Sequence, residues 1–400
     1  MPAFQPECYH YQQGKCRSCH WINLDYTQQL QQKQSDLKQQ IKALITPQTQ
    51  WLAPYHSSLI AMRNKAKMAV SGTVERPILG IINDPKDPTS AVDLSDCLLY
   101  PPIFQDILTK LKRLIGRAGL VPYNTAKKKG ELKYILLTQS QDSGNFMLRF
   151  VLRSEIKLGL LQRELPQFLH QLPQITLVTA NIQPIHAAIL EGEKEIFLTK
   201  QQYLAENFNH IPLFIRPQGF FQTNPSVAAA LYHTAQQWIK TLPIYQIWDL
   251  FCGVGGFGLH CKVARENYLD SLGQTRIIPL TGIEISPAAI TAAQRSVAAL
   301  KLSQVDFRAL DATTYQANTK PDLVIVNPPR RGIGQELCAY LNQLSPNYLL
   351  YSSCNAVTMG KDLAQLNGYQ LEKIQLFDMF PHTSHYEVIA LLSKLDTNNH

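Results

Sequence analysis

Two different rhythms of apolar residues divide the chain. From about residue 60 to 215, short runs rich in branched and aromatic residues (KMAVSGTVE, KYILLTQ, FMLRFVLRS, ITLVTANIQ, EIFLT) sit between turn signals, the pattern of strands that pack against a core. One helical stretch, about 103–118, interrupts them, so this half predicts an antiparallel α+β domain. Beyond Pro212 and Pro217 helical and extended patterns alternate. Helix VAAALYHTAQQWIKTL precedes strand IYQIWDLF and a Gly-rich turn; IIPLTGIEI, PAAITAAQRSVAALKL, VDFRAL, PDLVIVNPP, a helix near 334–344 and NYLLYSSCN follow. Such alternation predicts an α/β fold, a Rossmann-like and mostly parallel seven-stranded sheet covered by helices, with ligands at the carboxyl ends of the strands. The segments LEKIQLFDMF and HYEVIALLS close the sheet as a hairpin with one antiparallel strand. The expected division is therefore 1–215 and 216–400.

The first 25 residues form a Cys-rich tail, and the Gln-rich stretch QQLQQKQSDLKQQI after it reads as an exposed amphipathic helix. At 400 residues the chain has room for two domains with sizeable cores. The start MPAFQPECYHYQQGKC has no apolar signal core, and nowhere does an apolar run reach the roughly 20 residues of a membrane span. A soluble, cytoplasmic protein without a membrane partner is expected. Net charge is +8, with basic clusters in RNKAK (63–67) and AKKKGELK (126–133). These permit a polyanionic partner without requiring one, because lysine runs are often simply solvated. Of eight cysteines, three crowd into twelve residues, which outside an oxidising compartment points to metal or cluster ligation rather than disulfides.

Candidate chemistry concentrates at the strand ends of the second half. In WDLFCGVGGFGL, an acidic residue ends a strand and Gly253, Gly255, Gly256 and Gly258 let the backbone turn sharply and approach a ligand. The spacing is neither that of the dinucleotide fingerprint nor that of a P-loop. About 30 residues on, Glu284 ends the next strand in TGIEIS, where a carboxylate can accept from two ribose hydroxyls; otherwise it would complement a helix N-terminus. Asn327 ends PDLVIVN before two prolines that stiffen the turn. Together the three strand ends resemble a site for S-adenosylmethionine. Amine methyltransferases with Asn-Pro-Pro usually place an aromatic residue next; here Arg330 follows. Instead Cys354 stands at the next strand end and Glu387 on the last strand. A thiolate adding to carbon 6 of a uracil would make carbon 5 nucleophilic toward a methyl group, and a carboxylate of raised pKa could then take the carbon 5 proton.

The segments FFQTNP (220–225), WDLFCGVGGFGLH, GIEIS, NPPRRGIG, YSSCN and LFDMFPHTSHYEV, with CRSCHWI and RNKAKM toward the N-terminus, resemble the RNA uracil-5 methyltransferases over nearly the whole chain. The resemblance implies Gln222, Phe251, Glu284 and Asn327 as cofactor contacts, Cys354 as nucleophile and Glu387 as base. It points to the branch acting on a uridine of 23S ribosomal RNA; separately, a monomer with no obligate protein partner is expected. Many members carry Asp-Pro-Pro-Arg where this chain has Asn327, so no acid or base role passes to that position. With the Cys motif at its start, the chain is not expected to carry the N-terminal RNA-binding barrel of some relatives. Cys8, Cys16, Cys19 and Cys97 match the family's four ligands to a structural 4Fe-4S cluster; by ligand type alone tetrahedral zinc is also open. The competing readings are an N-methyltransferase of the Asn-Pro-Pro type and a non-catalytic iron-sulfur module that holds RNA.

Overall fold

A computed structural model describes residues 5–186, 189–317 and 319–395. Its second half is built on an eight-stranded sheet in the order 50–51, 369–377, 387–394, 348–353, 323–326, 247–250, 280–284, 305–309. The strands Ile247–Leu250, Leu280–Glu284, Val305–Ala309, Leu323–Val326 and Tyr348–Ser353 run parallel, while Glu387–Lys394 is antiparallel to both of its neighbours. Seven of these strands are those predicted. The eighth, Gln50–Trp51, comes from the first half and pairs parallel to the edge strand Tyr369–Phe377.

Alternation along the buried strands explains the layers. Leu323 and Ile325 join a core with helices Pro225–Ile239 and Gly256–Ser271, whereas Val324 and Val326 face the core beneath helices Gly334–Leu344 and Ala356–Leu363. Both faces are therefore apolar, as a helix-covered parallel sheet demands.

The first half carries a seven-stranded sheet in the order 87–93, 77–84, 65–72, 132–139, 146–152, 175–182, 194–197. It departs from the antiparallel expectation at one place: Phe146–Leu152 and Ile175–Ile182 are parallel. A second helix, Leu158–Gln171, makes the crossover that parallel strands require. The helix predicted near 103–118 is Pro102–Arg117, and the two helices bury one face of the sheet through Phe104, Leu111, Leu161 and Phe168.

The Gln-rich helix, Tyr26–Ile41, is not the exposed helix expected. Leu37 and Ile41 enter the core under helix Ala356–Leu363 in the second half. Three polar residues on the same side bind the segment that precedes Glu387. Gln29 Oε1 accepts from the His382 amide (2.8 Å), Lys33 donates to Asp378 (2.6 Å) and the Phe380 carbonyl (3.0 Å), and the Tyr386 hydroxyl donates to Asp36 (2.5 Å). The side chains of Lys33 and Asp378 are both fully buried. Breaking such a pair from one side typically costs about 3–5 kcal/mol, because the other charge is left without a partner. No helix among the described residues is long and apolar enough to cross a membrane.

Candidate active site

The loop after strand Ile247–Leu250 turns through left-handed backbone at Phe251 (φ 61°), Gly253 (φ 54°) and Gly255 (φ 82°). Gly255 caps helix Gly256–Ser271, and the Gly255 amide donates back to the Cys252 carbonyl (2.8 Å). A Cβ on Gly258 would lie 2.8 Å from the carboxylate of Asp249, so glycine is needed for the helix to approach the strand end. Asp249 is buried and accepts from the Gly258 amide (2.8 Å); burial, reinforced by the charge of Glu284, pushes its pKa up to about 7. It supports the turn from behind, a role the sequence reading left unassigned.

Glu284 is tied into the same loop. One carboxylate oxygen accepts from the Gly253 amide (3.2 Å) and the other from the Ser286 amide (3.0 Å), at the start of helix Pro287–Leu300. Asn327 follows the neighbouring strand, with its amide directed at the Leu250 carbonyl (3.4 Å). Phe251, Glu284 and Asn327 thus occupy the carboxyl ends of three adjacent parallel strands. Gln222 is not on the sheet. It is buried on the segment before helix Pro225–Ile239; the Thr223 carbonyl beside it accepts from the Asn64 amide (3.0 Å), and Asn224 donates to Ser57 (2.8 Å) and the Met379 carbonyl (3.3 Å).

Strand Tyr348–Ser353 pairs antiparallel with Glu387–Lys394, Ser353 opposite Val388. Cys354, one residue beyond Ser353, and Glu387, one residue before Val388, therefore sit at the same end of adjacent strands. The Cys354 thiol senses the charge of Glu387. Burial, together with Glu387, raises the pKa of the half-buried Cys354 thiol, while the Arg330 guanidinium donates to the sulfur and lowers it. Burial pushes Glu387 up to about 8, again opposed by Arg330. Arg330 stands in the turn after Asn327, and its carbonyl is fixed by Asn355 (2.9 Å) and Thr358 (3.0 Å). Sequence reasoning used Arg330 only as a departure from another pattern; its action on both thiol and carboxyl follows from the sheet order, which sets the Arg330 turn next to the strand end of Cys354.

Cys8, Cys16, Cys19 and Cys97 also gather, with no disulfide among them. Burial and the three other thiols raise Cys19 to about 12; burial, with Cys8 and Cys16 adding, raises Cys97 to about 11. Arg63 is the cation that opposes both shifts. Among the described residues no three His, Cys, Asp or Glu side chains converge on the geometry of a single metal ion. Beyond the thiols, the tail touches the segment before Glu387: the Trp21 amide donates to the His382 carbonyl (2.9 Å), and the Ser384 amide donates to the His20 ring (3.3 Å).

Comparison with known proteins converges on one family. Residues 193–395 match the family model described as tRNA (Uracil-5-)-methyltransferase. The chain is 62% identical, over 98% of its length and all of the relative, to the 23S rRNA (uracil(747)-C(5))-methyltransferase RlmC of Haemophilus influenzae strain 86-028NP. It is 61% identical to the RlmC of Pasteurella multocida, over 97% of this chain and 99% of the relative. Among solved structures, the Pyrococcus abyssi tRNA (uracil-54, C5)-methyltransferase with S-adenosyl-L-homocysteine matches with a TM-score of 0.76 and 23% identity, over 94% of this chain and 85% of that one. That likeness is one of fold. With family model, full-length relatives and fold in agreement, the chain belongs to the RNA uracil-5 methyltransferases.

Proposed function

We propose that this protein methylates carbon 5 of a uridine in 23S ribosomal RNA, with S-adenosylmethionine as the methyl donor. The observation that carries the reading is the pairing of Cys354 with Glu387 beside the three strand ends at Phe251, Glu284 and Asn327. The two carboxylate oxygens of Glu284 are aligned by backbone amides, so an incoming ribose would meet an oriented acceptor. Phe251, Asn327 and the buried Gln222 would complete the pocket. Bound there, S-adenosylmethionine supplies an electrophilic methyl group.

Cys354 would add as a thiolate to carbon 6 of a flipped uracil, and the C5–C6 double bond would become an enolate whose carbon 5 takes the methyl as the sulfonium S–CH3 bond breaks and S-adenosylhomocysteine leaves. Glu387 then removes the proton from carbon 5. The carbon 5–carbon 6 double bond re-forms as the sulfur–carbon 6 bond breaks, returning the thiolate. Burial disfavours both charged forms, so Arg330 is what brings thiolate and carboxylate within reach near neutral pH. The Arg at this position and the presence of both reacting groups favour carbon methylation over the N-methyltransferase and non-catalytic alternatives.

Cys8, Cys16, Cys19 and Cys97 would hold a 4Fe-4S cluster that pins the N-terminal tail. Four mutually close thiols, of which burial raises Cys19 and Cys97, form a donor set that a cation stabilises as thiolates. Tetrahedral zinc, with Zn–S of about 2.3 Å, draws its sulfurs into a tighter group, whereas in a four-iron cluster each thiolate binds a different iron. The role is structural: the pinned tail supports His382 and Ser384, next to the catalytic strand.

Three outcomes follow. Nucleoside analysis of ribosomal RNA from cells lacking the protein should show the loss of one 5-methyluridine, restored by the wild-type chain; a lost N-methyladenosine instead would overturn the assignment. Anaerobically purified protein should contain iron and acid-labile sulfide in equal amounts, with both greatly reduced in Cys97→Ser; stoichiometric zinc without sulfide would identify the other metal. Third, Arg330→Met should slow alkylation of Cys354 by iodoacetamide about three- to tenfold at pH 8 and move its midpoint to higher pH. Glu387→Gln, which removes a negative neighbour once the pH exceeds about 8, should move the midpoint lower. Identical profiles in all three proteins, read by mass spectrometry on the Cys354 peptide, would refute the electrostatic coupling.

A further inference from the structure

The first-half sheet has one face covered by helices Pro102–Arg117 and Leu158–Gln171 and another that is covered only in part. On that second face lies a cavity of about 630 Å³, bounded by the strands Lys65–Gly72, Pro77–Asp84 and Leu132–Gln139 and by Tyr123, Thr125, Ala126, His186 and Leu190. Its size is that of a site for a small organic group. Strand register explains the hollow. Lys67 and Ala69 point to the same side two residues apart, opposite Leu136 and Tyr134. The small Ala69 leaves the space, with the longer Lys67 and Tyr134 as walls.

The lining is chemically one-sided. Lys67, Lys86, Lys133 and His186 line it, and among the described residues no Asp or Glu does. Lys133 is buried; it donates to Gln183 and to the Ile185 carbonyl (2.8 Å), which uses two of its three N–H donors. Its ammonium also lies over the Tyr123 ring, 4.7 Å from the centroid, and the Tyr123 hydroxyl is hydrogen-bonded to the His186 ring (2.8 Å). One wall is thus held rigid by mutual contacts before any ligand arrives. The exposed run Lys127–Lys129 follows directly on Thr125 and Ala126 at the rim.

One of the strands that bounds the cavity also leads to the segment that carries Gln222. Strand Lys65–Gly72 begins next to Asn64, whose amide donates to the carbonyl of Thr223, the neighbour of Gln222. Lys67 to Val70 lie three to six residues further along the strand, about 10–20 Å away. A few nucleotides of an unstacked loop span such a distance, so one RNA loop could touch both the cavity and the segment that carries Gln222.

We propose that this cavity is a second base-binding site, which takes an unpaired nucleotide near the methylated uridine, the base stacking on Tyr134 and its phosphate facing Lys67 and Lys86. Aromatic rings with surrounding lysines and no carboxylates are the chemistry of single-stranded RNA recognition. The site would select among loops that offer a uridine, since it adds a second splayed base at a fixed spacing. This inference rests on the RNA methyltransferase reading.

The test uses the full chain and a labelled 23S ribosomal RNA stem-loop that the wild-type enzyme methylates. Fluorescence anisotropy is run with that RNA and with versions made abasic at one loop position at a time. For the wild type, one abasic position besides the target uridine should weaken binding about tenfold. For Tyr134→Ala the intact RNA should bind about tenfold more weakly, and that abasic position should cost less than twofold. Lys67→Ala, at an exposed position that leaves the fold alone, should reduce affinity and flatten the dependence on salt. S-adenosylmethionine affinity should be unchanged in both variants. If abasic penalties are the same in Tyr134→Ala as in the wild type, or if Lys67→Ala binds RNA with wild-type affinity and salt slope, the cavity is not a base site. A wild-type enzyme that transfers methyl groups to no RNA would instead defeat the functional reading, independently of either variant.

Discussion

The antiparallel pairing of Tyr348–Ser353 with Glu387–Lys394 is the constraint on which the reaction site depends. All the other central strands run parallel, so their carboxyl ends share one edge, and a residue on the reversed strand reaches that edge only at its beginning. Glu387 is the first residue of that strand and Cys354 the first residue after its neighbour. A slip of one residue in this register would turn Glu387 to the opposite face of the sheet. Two groups 33 positions apart in the chain are thereby set side by side, with Arg330 from the next strand end acting on both.

That register needs a well-held approach to Glu387, and the N-terminal helix provides it. Gln29, Lys33 and Asp36 bind residues 378–386, and the tail before the helix adds Trp21 and His20. A buried ion pair is an inefficient source of stability, because desolvation offsets much of the attraction. Its geometric demand is strict, however, and a segment ending in the carboxyl proposed as the base has use for a single conformation. This gives the Cys-rich tail a physical task that involves no electron transfer: it closes the far side of the same segment.

The second half was legible in the sequence because its strands are buried on both faces and its helices are amphipathic, so the alternation of patterns is strong. The loop at 251–255, Glu284, Asn327, Cys354 and Glu387 could be placed at strand ends for the same reason. What was obscured has local causes. Pro166 stands inside helix Leu158–Gln171 and hid the crossover that makes one strand pair parallel. Helix Ala356–Leu363 is short, and the strand at Gln50–Trp51 has two residues and no periodicity. The helix Tyr26–Ile41 looked exposed because Gln29 and Lys33 are polar, and their partners, His382 and Asp378, lie some 350 positions away. Arg330 was visible as a residue but not as a neighbour of Cys354, because that contact exists only once the strands are ordered.

The account stands on Cys354 forming a bond to the uracil ring, and the most direct measurement is mass spectrometry of the enzyme after reaction with S-adenosylmethionine and RNA carrying 5-fluorouridine at the target position. Fluorine in place of the carbon 5 proton leaves Glu387 nothing to remove, so the adduct should persist after methyl transfer. The expected result is a methylated RNA fragment linked to the peptide that contains Cys354, and no such species in Cys354→Ala. Methyl transfer to natural RNA that proceeds normally while the fluorinated RNA forms no adduct at Cys354 would contradict it.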